Sequence, residues 1–393
     1  MKYLKLKSRP KSVGNWNAFL FYFLAKEKKE NEMRRKYMHY VLLLRVKLSI
    51  RIRNFLHSSA LIKSVLLSPW YVLYKQGLDE DFINVMGVNR SGFDILLKEF
   101  SKHFHFKSGC GRKGRPPKVK DKHCVLGLLL HTYCSPADGK TWCELFGLPP
   151  ATLYRYLDNA EAALDLALQQ LDLAQISWPT FTEQRESAKL VRAKDKLIKG
   201  RFGFVDGKNY SVQEPTNSEL QNAMYNGWLH AVLITNVVCF GVCGCIIWAK
   251  LNFYGSWNDA AMSMSLRVKL ANPVKTLNSH GLLADTAFPV TRDMFEKIMT
   301  PLKEGDIAKL PLALRPAVHR LSNGITSLRQ ACEWGQGAVE KVFRILLKRL
   351  PYNQSKRGRL LRVVYRLYNF RVRTTGISQI RNYFEFDNID NGD

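Results

Sequence analysis

Arg201-Phe-Gly-Phe-Val-Asp206-Gly207 is a short apolar run that closes on a carboxylate. Gly281-Leu-Leu-Ala-Asp285-Thr-Ala-Phe-Pro289 repeats the pattern further along the chain. Ser327-Leu-Arg-Gln-Ala-Cys-Glu333-Trp-Gly335 then sets a third acid at the opening of a long helical pattern. The two runs predict strands, each ending in an Asp, and the third segment predicts a helix carrying a Glu. A carboxylate at a strand end escapes burial while its backbone stays rigid, which suits a hard, oxygen-preferring cation.

The surrounding segments predict the layer architecture. Phe202–Asp206, Tyr210–Gln213, Leu229–Val238, Gly244–Lys250 and Gly281–Asp285 read as strands with Gly punctuation, and helical pattern covers 265–269 and 327–350. Adjacent strands first, then a strand between helices, predict a mixed α/β sheet flanked by helices over residues 196–350. Residues 351–393 read as a C-terminal tail.

The chain has 393 residues with 60 Lys and Arg against 33 Asp and Glu, a formal charge of +27. That excess points to nucleic acid or an anionic surface. Leu229–Ala249 carries no charge and is long enough to span a bilayer. Its β-branched residues, broken by Gly241 and Gly244, instead predict two buried strands and a turn, so no membrane is expected. The eight cysteines are scattered without a Cys-x-x-Cys pair. Buried, reduced thiols are the reading, which fits a cytosolic or nuclear compartment.

The first part of the chain reads as all-helical. Residues 1–67 form a basic arm, either a solvated helix or a phosphate-contacting one. Residues 68–195 form a helical region in which Ser91 is the expected cap of a helix through Phe93, Leu96 and Phe100. Within it, 109–122 is an extended Gly/Pro-rich basic arm. Arg112, Lys113 and Arg115 there suit a DNA backbone or minor groove, with a plain charged linker as the alternative. Residues 122–170 hold an apolar helix, a short helix, a turn at Gly147 and a second helix opened by proline. That is a helix-turn-helix pattern, in which Thr152, Tyr154 and Arg155 would face DNA. Such helix pairs can also be purely structural.

Phosphodiester cleavage needs an activated water and a stabilised leaving oxygen, which two metal ions about 3.5–4 Å apart supply. Asp206, Asp285 and Glu333 could converge to hold them. Asp259, after Asn252-Phe-Tyr-Gly-Ser-Trp-Asn, could cap a helix or face the ions.

Five ordered blocks carry a resemblance: Phe204-Val-Asp-Gly-Lys-Asn, Gln221-Asn-Ala-Met-Tyr-Asn-Gly-Trp, Asn252-x-x-Gly-Ser-Trp-Asn-Asp, Ala284-Asp-Thr-Ala-Phe-Pro, and Arg329-x-x-x-Glu-Trp-Gly. Together they resemble the Harbinger group of DDE transposases, over Ser68 to Phe386 and including the helix-turn-helix segment. The resemblance implies a ribonuclease H-like catalytic domain, Mg²⁺ or Mn²⁺, and cut-and-paste transposition acting on double-stranded DNA at transposon ends and target. It implies Asp206, Asp285 and Glu333 as the catalytic triad, Asp259 as an added metal ligand, a nuclear location and a Myb-like DNA-binding partner. It is compatible with a homo-oligomer. Tyr254 stands where a proline is common, and the helix after Glu333 departs from the family pattern. Glu340, two turns beyond Glu333, is the rival third acid. The alternative function is a domesticated, catalytically silent DNA-binding protein of the same fold; an RNA-binding scaffold lacks any of the usual module patterns.

Overall fold

The computed structural model describes residues 14–54, 56, 58–107, 117–257, 259–288 and 290–385. It forms two compact units, Met1–His57 and Ser58–Asp393. Among its described residues the first holds one helix, α1 (Gly14–Asn54), of 41 residues. Lys, Glu, Arg, Leu and Met dominate its middle, all strong helix formers. Its described side chains are almost all exposed, Trp16, Phe21 and Tyr37 among them.

The second unit opens with α2 (Pro69–Gln76), α3 (Asp79–Met86) and α4 (Arg90–His103). Asn89, rather than the expected Ser91, caps α4: its side chain accepts from the Gly92 N–H. Then come α5 (Lys122–Cys134), α6 (Gly139–Phe146) and α7 (Pro150–Gln170). Asp138 caps α6 through the N–H groups of Lys140 and Thr141, and Gly147 ends it at φ +63°. Pro150 starts α7, which runs unbroken to Gln170. The helix α8 (Phe181–Lys194) leads to the sheet.

The sheet comprises β1 (Arg201–Ser211), β2 (Tyr225–Asn226), β3 (Ala231–Gly241), β4 (Ile246–Tyr254), β5 (Gly281–Ala284) and β6 (Ile298–Met299). The strand order is β2-β3-β1-β5-β6, with β4 also paired to β3. β1, β2 and β4 pair antiparallel with β3, while β5 runs parallel to β1 and β6 parallel to β5. The expected strands 202–206 and 210–213 are one strand, because β3 pairs with β1 from Gly203 to Ser211. The uncharged stretch around 229–249 is the β3–β4 hairpin, and among the described residues no helix is long and apolar enough to cross a membrane.

Short helices α9 (Ser218–Met224), α10 (Asp259–Met262), α11 (Met264–Ala271) and α12 (Glu304–Ile307) join the strands. Along β3, Val237 and Cys239 join Met262, Leu266 and Leu270 in the core on one sheet face. Phe240 points to the other face, as strand alternation requires. There it meets α13 (Arg315–Val342) and α14 (Gln354–Thr375), with Tyr368 edge-on to its ring. α15 (Gln379–Glu385) adds Phe384, stacked on Phe204. The result is a mixed sheet flanked by helices, with an all-helical region before it.

Two expectations need correction. The expected tail of 351–393 is, over its described residues 351–385, part of the fold: α14 buries Leu361, Val364, Tyr365 and Phe370 between α7 and the sheet. Its many arginines, which make it look solvated, are paired or buried. And α13 begins well before the apolar periodicity does, so Glu333 lies past the middle of its helix.

Candidate metal-binding and catalytic site

The register of β1 and β5 positions the first two acids. Val205 pairs with Ala284, and β5 stops there. Asp206 and Asp285 are therefore the next residues on adjacent parallel strands. Asp206 is not at the end of its own strand, since it still pairs with Val238 on β3. It is at the end of the parallel part of the sheet, where one side of β1 loses its neighbour. Carboxyl ends of parallel strands are common ligand sites for this reason.

The third acid arrives on α13. Ile325, Leu328, Cys332, Gly335 and Val339 form its buried stripe, at the spacing of one helix face. Gly335 allows the approach: a Cβ there would lie 2.7 Å from the Phe240 ring. Gln336 donates to the Gly207 carbonyl at 3.2 Å, fixing the helix along β1 just past Asp206. Arg329 and Glu333, four residues apart, then share a neighbouring stripe that overlooks the strand ends.

One guanidinium gathers the three acids. Arg329 stands 3.7 Å from Asp206 and 3.8 Å from Asp285, and donates to Glu333 at 3.3 Å. Exposure grades from Asp206 (21%) through Asp285 (37%) to Glu333 (56%). Burial pushes the Asp206 carboxyl up to about 6, and the charges of Asp285 and Glu333 push the same way. Arg329 and the Gly207 N–H oppose them. Glu340 takes another partner, Lys208, at 2.8 Å.

Three carboxylates facing one spot already hold a cation, and their donor set is hard oxygen throughout. Divalent Mg²⁺ or Mn²⁺ suits such a set. Asp259 is the first residue of α10; its side chain falls outside those described. Arg112, Lys113 and Arg115 likewise lie outside the described residues. Thr152, Tyr154 and Arg155 occupy the first turns of α7, with Tyr154 and Arg155 exposed and Leu153 buried beneath them. Tyr154 packs over Gly139 of α6, leaving no room for a side chain there.

A second donor group escaped the sequence reading. Asp121, His123 and Cys124, at the start of α5, bring ligand atoms within 4.8 Å of one another. A thiol and an imidazole suit zinc better than magnesium. Here the His123 ring stacks flat on Tyr74 at 3.9 Å, and burial pushes the Cys124 thiol up to about 12. The only sequence signal was Asp-x-His-Cys, three neighbours without the paired spacing of a metal motif.

A family model described as DDE superfamily endonuclease matches residues 205–369. The match supports a nuclease domain of the DDE superfamily, a class that generally uses divalent metals and acts on DNA. It includes all three acids around Arg329, and it extends into α14. No curated protein and no solved structure matches the chain.

Proposed function

We propose that this chain is the transposase of a Harbinger-like DNA transposon, a metal-dependent endonuclease with a ribonuclease H-like catalytic domain. The observation that carries the reading is the convergence of Asp206, Asp285 and Glu333 on a single guanidinium. The strand order β4-β3-β1-β5-β6, antiparallel then parallel, supports the ribonuclease H-like assignment.

Asp206, Asp285 and Glu333 would hold Mg²⁺ or Mn²⁺, with Asp259 as a further ligand from the start of α10. Bound ions would activate the attacking water and stabilise the leaving oxygen of a phosphodiester. The protein supplies rigidity: Asp206 is locked by pairing on β1, and Glu333 by the seat of α13 on Phe240. Partial burial of Asp206 keeps water away and strengthens its attraction to cations.

DNA at transposon ends and target would be held by the basic surface. Arg112, Lys113 and Arg115 would contact the backbone or minor groove. Thr152, Tyr154 and Arg155 on α7 would read bases as the second helix of a helix-turn-helix. Residence in the nucleus, a Myb-like partner and assembly as a homo-oligomer belong to the same proposal.

The test is purified protein with end-labelled duplex, with Mg²⁺, with Mn²⁺ and with chelator. Metal-dependent nicking that disappears in Asp206→Asn, with DNA binding kept, is the expected result. Cleavage at the wild-type rate by Asp206→Asn would overturn the assignment.

A further inference from the structure

Arg329 pairs differently from Arg359 and Arg362, and it alone among the described arginines lies within 4 Å of three acids. Arg359 bonds Asp158 at 2.6 Å and Glu161 at 2.8 Å, and Arg362 bonds Asp165 at 2.8 Å. Those are the lengths of strong charge-assisted bonds. Arg329 commits to no acid in that way: its three approaches run from 3.3 to 3.8 Å. Its Nη1 is buried and donates no hydrogen bond. Only 17% of the side chain is exposed, so water does little to compensate. The guanidinium is thus held by the summed field of three carboxylates, with one long hydrogen bond, to Glu333.

A divalent ion makes competing demands on the same oxygens. It needs them in direct coordination at about 2.0–2.2 Å, while the guanidinium needs them as acceptors. Two cations sharing one partly buried cluster also repel each other. We propose that Arg329 is the resident counter-ion of this site: it stabilises the carboxylate cluster without metal and is displaced when divalent ions load. This rests on the metal-dependent reading of the same three acids. Arg329 is then a positioning residue that sets the threshold for metal binding.

The experiment measures Mn²⁺ binding to the DNA-free protein by calorimetry, beside melting in chelator and in Mn²⁺. Arg329→Gln removes the charge while keeping a planar, polar end. It should bind Mn²⁺ about tenfold more tightly than wild type, melt lower in chelator, and gain more from Mn²⁺. Arg329→Lys keeps a cation and should stay nearer wild type; it also serves if the Gln variant does not fold, since it should then still bind Mn²⁺ no more weakly than wild type. A damaged scaffold would weaken binding, so the direction of change separates the two causes. Equal or weaker Mn²⁺ binding by Arg329→Gln, with wild type binding normally, would overturn the counter-ion role and leave the metal reading standing. Absence of Mn²⁺ binding in wild type and variant alike would overturn both. Adding Asp285→Asn to Arg329→Gln should abolish the tight binding, and its persistence would place the ion elsewhere and sink the proposal.

Discussion

At the scale of single residues, Asp206 carries a cost that its chemistry requires. Its carboxyl is raised from 3.8 to about 6, chiefly by burial. The protonated form is therefore favoured in the folded state. The penalty is absent below pH 3.8, grows as pH rises, and is complete above about 6. Asp206→Asn removes it, so chelated protein at pH 8 should gain up to roughly 3 kcal/mol in denaturant unfolding, with little gain at pH 3.5. No gain at pH 8 would show that burial does not penalise the ionised Asp206. Cys243 offers a second pH-dependent readout. It is exposed, and a hydrogen bond from the Cys245 thiol holds its thiol below the ordinary cysteine range. Alkylation followed by peptide mapping should find Cys243 reacting at lower pH than an ordinary thiol, while buried Cys239 and Cys332 stay inert. A profile rising only above pH 8 would remove that hydrogen bond.

At the scale of elements, the seat of α13 decides where Glu333 stands. Gly335→Ala would press a methyl into Phe240, which is fully buried. Overpacking of this kind costs about 1–3 kcal/mol, and unfolding curves should show it; a neutral change would mean that α13 has room to move. The first turns of α7 carry another test. Arg155→Ala should cost about 1–3 kcal/mol of discrimination between specific and random duplexes, measured by competition binding. Equal weakening on both would reduce α7 to a structural helix. Much at this scale was legible. Asp206 and Asp285 were visible because each follows an apolar run, Glu333 because it sits in a helical pattern four residues after Arg329, and α6 and α7 because Gly147 and Pro150 punctuate them. Less legible was the continuation of β1 past Asp206: that run turns polar at Gly207-Lys-Asn, yet β3 keeps pairing with it. The start of α13 was hidden because its first turns are mostly exposed and show no apolar stripe.

At the scale of the whole molecule, α14 was the largest gap between sequence and structure. Lys356, Arg357, Arg359, Arg362, Arg366, Arg371 and Arg373 make it look like a solvated basic segment. Their partners are distant in sequence. Asp158, Glu161 and buried Asp165 on α7 receive Arg359, Arg362 and Arg366. Arg357 is buried, bonded to Asn252 and to the carbonyls of Pro351 and Tyr352. One sequence cannot announce pairings made across two hundred residues. A chain ended at Leu350 should consequently fail to unfold cooperatively and should expose apolar surface to a hydrophobic dye. A sharp transition in that shortened protein would show that α14 is dispensable.

The two faces of α14 also constrain how such a protein can diversify. On one side its arginines grip α7, the helix proposed to read DNA. On the other, Asn369 bonds both the N–H and the carbonyl of Ile246 in β4. Reader and sheet are clamped to one rod that lies after both in the chain. Exchange of residues 122–170 between related proteins, by recombination or by design, would therefore leave a mismatched surface unless α14 travelled with them. New DNA specificity should accordingly evolve by point changes on the outer face of α7, not by trading the module whole.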